Sequence, residues 1–206
     1  MRQPTAGNPM MQQMVQGRRR AVEAGIVQRL GIIRRAAWGA RPPARPLDYD
    51  WNYDSIVVHY SGHAYYPDMR SIQNFDLDHR HWDDVAYHYG VAINGKMYEG
   101  RELIYEGAHV KLQNTGKIGI VCIGDFDSSW RNLLEGHSYS ADPVPPTMLD
   151  SLKRLSRALM AVFPIRVFGG HREFGDTDVC PGSELLPAVQ AMRNELHLAA
   201  PLHQSK

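Results

Sequence analysis

The sequence predicts an α/β fold, a central mixed β-sheet flanked by helices, and three observations predict it. Short β-branched apolar runs bounded by turn residues are interspersed with longer stretches of helical periodicity. Two of the runs are joined by Asn94-Gly95, the mark of an antiparallel hairpin. At 206 residues, 43% hydrophobic and 22% charged, the chain is long enough to bury one sizeable core. One domain is therefore expected over residues 31–198, between an N-terminal extension (1–30) and a C-terminal tail (199–206).

The extension is rich in Gln, Met and Arg and carries the basic cluster Arg18-Arg19-Arg20. It reads as a loosely ordered tail or as a docking or export segment. Residues from about Asn8 to Leu30 have a weak amphipathic period through Met10, Met14, Val22 and Ile26, which Gly17 and Gly25 weaken. From Gly31 the pattern turns globular. Ile32-Ile33 suggests a short strand or extended arm, and the proline-rich stretch 41–46 a loop across the surface. Ser55 to Tyr60 reads as a buried strand that delivers His59 near its carboxyl end. Asp68 to His81 reads as a helix, with Asp68 as N-cap and Ile72, Phe75 and His79 on one face.

Ala86 to Ile93 and Lys96 to Gly100 are the two strands of the hairpin, since Asn-Gly accepts the positive φ angles of a tight turn. Ile118 to Ile123 is a further core strand. Leu149, Leu152, Leu155, Leu159 and Val162 fall at helical spacing within a helix predicted over Thr147 to Val162, which Pro164 ends. Ile165 to Phe168 is a short strand leading to His171. A closing helix over Glu184 to Leu198 turns Leu185, Val189, Met192 and Leu196 inward.

Composition excludes several function classes. A formal net charge of +1 gives no global electrostatic attraction to nucleic acid or to an anionic membrane surface. No apolar run approaches the length that spans a bilayer. The basic cluster near the start is followed by a segment too short and too polar for a secretory signal, so synthesis in the cytoplasm is expected.

Two cysteines are too few for a disulfide framework. Cys122 lies in an apolar strand and reads as an inert core thiol. Cys180 precedes Pro181-Gly182 in a polar Gly- and Asp-rich loop, where an apolar role is hard to arrange. The two could also pair with each other. With His59 and His171, however, Cys180 completes a three-ligand set of the kind zinc accepts, and three protein ligands leave a position for the water of a hydrolase. Trp82, Tyr65 and Tyr66 read as groove-lining or structural aromatics, and His63, His79, His81, His88 and His137 as surface or packing residues.

Five landmarks carry a resemblance, in order along the chain: Ile-Ile-Arg-Arg-Ala-Ala-Trp-Gly-Ala from Ile32, Ile-Val-Val-His from Ile56, Ala-Tyr-His-Tyr with the following Gly-Lys-Met-Tyr-Glu-Gly-Arg, Gly-Ala-His then Ile-Gly-Ile, and Gly-His-Arg with Cys-Pro-Gly. Residues 31–198 thereby resemble the zinc-dependent N-acetylmuramoyl-L-alanine amidase family, which includes peptidoglycan-recognition proteins and amidase-type phage lysozymes. The resemblance implies a peptidoglycan-recognition-protein-like fold. It also implies a bound Zn2+ and cleavage of the amide between N-acetylmuramic acid and L-alanine. By position His59, His171 and Cys180 would be the ligands, Tyr87 the active-site tyrosine, and His109 a residue of the substrate groove near the metal.

Amide hydrolysis needs an activated water, stabilisation of the oxyanion and a proton for the leaving amine. Relatives place lysine or threonine two residues before the cysteine, where this chain has Asp178. A carboxylate there could serve as base and then acid but not as oxyanion stabiliser. Which of Thr177 and Asp178 faces the metal stays open. Two other classes also stay open, a non-catalytic peptidoglycan-binding module and a zinc hydrolase of another amide. A monomer is expected, acting in the periplasm or cell wall. It would be a phage endolysin released by a holin, or an effector exported by a secretion apparatus and paired with an immunity protein.

Overall fold

The computed structural model describes residues 9–62, 67–128, 141–175 and 177–202. His63, Tyr65, Tyr66 and His137 lie outside the described residues. The elements run α1 (Pro9–Leu30), β1 (Ser55–Tyr60), α2 (Met69–Asp78), β2 (Tyr89–Ala92), β3 (Met97–Glu99), β4 (Lys117–Ile123), α3 (Pro146–Met160), β5 (Val167–Gly170) and α4 (Leu185–Glu195). Single turns of 3-10 helix occupy Arg35–Trp38 and His171–Phe174. The five strands form one mixed sheet in the order β3-β2-β4-β1-β5, with only the β2–β3 pair antiparallel.

Burial on both faces makes β1 and β4 continuous apolar runs rather than alternating ones. Successive strand residues point to opposite faces. Ile56, Val58, Ile118, Ile120, Cys122 and Phe168 accordingly enter the main core with α3 and α4. Val57, His59, Gly119 and Val121 belong to the other face. Cys122 is a buried free thiol, and no disulfide joins it to Cys180.

The elements follow local chemistry, with several departures from the sequence expectation. Asp68 caps α2 through Ser71 N–H at 2.8 Å, and Ser71 Oγ accepts from Asp68 N–H at 3.3 Å. The helix stops at Asp78 and not at His81, which adopts φ 56°. The hairpin forms at Asn94-Gly95, but only Gly95 takes a positive φ, 79°. Gly95 N–H donates to Ala92 O and Ala92 N–H to Lys96 O, both at 2.9 Å. The loop is thus three residues with glycine at its left-handed position, not a two-residue turn.

The strand expected from Ala86 begins only at Tyr89. Tyr87 and His88 lie in an irregular lead-in, because their carbonyls serve Arg101 N–H and Gly100 N–H, both at 2.8 Å, just past the end of β3. The α3 helix buries Leu152, Leu155 and Leu159 but ends at Met160, so Val162 falls beyond it and is exposed.

One uninterrupted helix, α1, covers Pro9–Leu30, but not on the expected stripe. Met10, Met14 and Val22 are exposed, whereas Glu23, Ile26 and Val27 are buried at i, i+3, i+4 spacing. Ile26 and Val27 belong to the main core. Arg20 bonds Glu102 at 2.9 Å, and the Glu23 carboxyl accepts Leu103 N–H at 2.9 Å.

Glu23 is 3% exposed, and burial pushes its carboxyl up to about 8 from an ordinary 4.5. Between those values the folded chain keeps a proton that the unfolded chain has lost, so this group lowers stability as pH rises through the window. Glu23→Gln keeps an acceptor for Leu103 and cannot ionise. Thermal unfolding should show the variant and wild type alike at pH 4 and the variant more stable, by a few kcal/mol, at pH 9. Parallel profiles would contradict a buried carboxyl.

Candidate metal centre

Strand register brings the two histidines together. In the parallel pair β1–β5, Val58 is level with Gly170, so the next residues, His59 and His171, emerge side by side at the carboxyl ends of the strands. Their ring centroids are 4.4 Å apart. The chain then turns through His171–Phe174 and returns. Arg172 N–H donates to Cys180 O at 2.7 Å, and the Arg172 guanidinium donates to Val179 O. These bonds draw Cys180 back beside His171 although eight residues lie between them in the chain. Gly182, at φ 95°, packs so closely on Phe126 that an added Cβ would come within 2.2 Å of its carbonyl oxygen.

Sγ of Cys180 lies 3.6 Å from Nδ1 of His59. Ligand atoms from His59, His171 and Cys180 all fall within 4.8 Å of one another. Tetrahedral zinc with nitrogen at about 2.0–2.1 Å and thiolate at about 2.3 Å sets neighbouring donors roughly 3.3–3.8 Å apart. The donor set and the 3.6 Å separation of His59 from Cys180 therefore fit zinc. His59 is 1% exposed, and burial, with the neighbouring imidazoles, holds it well below the ordinary histidine range in the metal-free chain. A neutral ring is the form that can donate a lone pair to a metal.

Tyr87 stands beside this group, its ring 5.0 Å from that of His59. Burial raises its hydroxyl well above the ordinary tyrosine range, with the nearby Arg80 charge acting the other way. Arg80 lies over Trp82 at 4.5 Å and over Phe75 at 5.0 Å. Its guanidinium also meets Asp76 at 3.4 Å, four residues earlier. Asp76 is 1% exposed and accepts Ala86 N–H at 3.0 Å, and burial pushes its carboxyl up to about 6.

Sequence reading missed both Asp76 and Arg80. The signal was there: Asp76 sits at i+4 from Ile72 on the inward face of α2, and Arg80 at i+4 from Asp76. The loop that carries Tyr87 is held by Arg101, 5% exposed, whose guanidinium donates to the carbonyls of Val85 (3.0 Å), Glu106 (2.6 Å) and Asp84 (3.2 Å).

The remaining expected site residues fall at different depths. His109 is buried behind His59, with Nδ1 3.1 Å from His59 Nε2. Trp82 is half-buried under Arg80. Thr177 Oγ1 accepts Val179 N–H at 3.3 Å within the loop, and Asp178 is exposed. His88 packs edge-on against Tyr53 and accepts Gly119 N–H at 3.0 Å through Nδ1.

Comparison with known proteins places this architecture. The sequence profile of the N-acetylmuramoyl-L-alanine amidase family matches residues 50–183. Peptidoglycan-recognition protein LB of Drosophila melanogaster is 30% identical over 183 residues, covering 81% of this chain and 71% of the relative. The endolysin N-acetylmuramoyl-L-alanine amidase LysCS of Clostridium intestinale superposes with a TM-score of 0.63 at 26% identity, covering 82% of this chain and 96% of that one. A Tyr-to-Phe variant of Drosophila PGRP-LB, solved in complex with tracheal cytotoxin, superposes with a TM-score of 0.63 at 28% identity, over 82% and 96% of the two chains. The mixed sheet, its flanking helices and these matches establish that the chain belongs to the N-acetylmuramoyl-L-alanine amidase family.

Proposed function

We propose that this chain is a zinc amidase that hydrolyses the amide between N-acetylmuramic acid and L-alanine in peptidoglycan. The observation that supports it most is the convergence of two imidazoles and a thiol within 4.8 Å, in a chain of the amidase family. His59, His171 and Cys180 would hold the ion, which when bound supplies Lewis acidity toward water and the scissile carbonyl. Three protein ligands, rather than four, suit a catalytic site. That a PGRP-LB relative holds tracheal cytotoxin, a monomeric peptidoglycan, supports the substrate class.

The chain's own groups divide the remaining work. In the reaction the oxygen of water bonds to the carbonyl carbon, the C–N bond breaks, and the alanine nitrogen leaves as an amine after gaining a proton. Burial keeps the Tyr87 hydroxyl protonated, so its part is to donate a hydrogen bond to the carbonyl oxygen as negative charge gathers there. The Arg80 guanidinium, held by Asp76, sets the electrostatics around the phenol. Asp178, exposed two residues before Cys180, is assigned the proton transfers to and from water and amine. Thr177 holds the loop and, with Trp82, borders the substrate.

The test is digestion of purified peptidoglycan with zinc-loaded protein, reading new L-alanine amino termini. Wild type should release them, and Cys180→Ser should lose both one equivalent of zinc and the release. Full zinc with no new termini would overturn the amidase and leave a peptidoglycan-binding module; new termini of another residue would mean a different amide. Tyr87→Phe should keep its zinc and lower kcat by about 10²–10³-fold, the cost of one oxyanion donor. A variant with unchanged kcat would remove Tyr87 from the chemistry.

We also propose that the enzyme acts on the wall side of the membrane after delivery by a holin or a secretion apparatus. Production in the bacterial cytoplasm should leave cells intact, and production behind a periplasmic signal should lyse them. Lysis from the cytoplasmic form alone would contradict assisted delivery.

A further inference from the structure

A chain of hydrogen bonds runs away from the candidate metal centre into the sheet. Nε2 of His59 is 3.1 Å from Nδ1 of His109, and Nε2 of His109 is 3.3 Å from the carbonyl oxygen of Lys117. Both rings are buried, which disfavours a second proton on either. A neutral imidazole has one N–H and one lone pair. The carbonyl can only accept, so His109 carries its proton on Nε2 and offers its Nδ1 lone pair to His59. His59 must then carry its own proton on Nε2. Its Nδ1 lone pair is left facing Cys180 Sγ, 3.6 Å away.

The ring of His109 is seated by absence of bulk. An added Cβ at Gly119 of β4 or at Gly107 would come within 2.5 Å of its Cδ2. No side chain larger than hydrogen fits at either position without moving the ring. Its backbone N–H is held by Asn114 Oδ1 at 2.8 Å. Ring, acceptor and slot are thus all fixed by backbone.

We propose that His109 is a positioning residue which, anchored to the Lys117 carbonyl, locks His59 into the Nε2–H tautomer and presents its Nδ1 lone pair to the metal. The metal-binding half of this rests on the zinc reading above; the tautomer half does not. Ligand histidines held in this way by a second hydrogen bond typically lose 10–100-fold in metal affinity when the partner is removed.

Imidazole nitrogen NMR of the full, metal-free chain tests it directly. His59 and His109 should both show the Nε2–H pattern before any zinc is added, and zinc should shift His59 at Nδ1. His109→Leu should weaken zinc binding about 10–100-fold in competition with a chromophoric chelator. His109→Gln should recover most of that loss, because its amide oxygen can accept from His59 while its NH2 donates to Lys117.

A Nδ1–H tautomer at His59 in the wild type would overturn the proposal. So would a Leu variant with wild-type affinity, or Leu and Gln variants equally weakened, which would mean that only ring volume matters. Wild type that binds no zinc would defeat the zinc reading while the tautomer measurement still decides the relay.

Discussion

Parallel pairing of β1 with β4 and β5 is the constraint on which the site depends. The register that sets Val58 level with Gly170 and His59 level with Val121 is held by backbone hydrogen bonds, and a slip of one residue would turn His59 into the main core. The same period of two that buries Ile56, Val58, Ile120 and Phe168 against α3 and α4 places His59 on the opposite face. Core packing therefore enforces the position of the imidazole. No contact at the site itself has to supply that energy.

Burial is the second theme, and it acts on polar groups that are each wired to backbone. Arg101 answers three carbonyls, Asp76 accepts Ala86 N–H, and His88 accepts Gly119 N–H. A buried polar group without such a partner costs about 1–3 kcal/mol, so these bonds keep the irregular segments around Tyr87 and His109 ordered where no strand or helix does so. The arrangement also explains why a loop rather than a strand carries Tyr87. Its carbonyl is committed to Arg101 N–H across the chain, and the ladder takes over only at Tyr89.

Much of the fold was legible because local chemistry and tertiary packing agree. Asp68 and Ser71 cap α2, leucines at helical spacing build α3, and Asn94-Gly95 turns the hairpin. Proximity of His59, His171 and Cys180 was foreshadowed by two histidines at the ends of apolar strands and a cysteine stranded in a polar loop. What escaped the sequence reading depends on long-range pairing. The face of α1 that packs is chosen by Leu103, eighty residues away, and not by the methionines. The depth of His109 depends on Gly119, which read only as part of a strand. Arg80 is an ordinary arginine just past a helix end until Trp82 folds against it.

Geometry and family membership point the same way, toward a centre built from two imidazoles and one sulfur at the open ends of parallel strands. X-ray absorption at the zinc edge of the loaded, full-length protein interrogates that centre most directly. One sulfur and two imidazole nitrogens in the first coordination shell is the result the account predicts. A shell of oxygen and nitrogen without sulfur would contradict it, because Cys180 would then have no place at the metal.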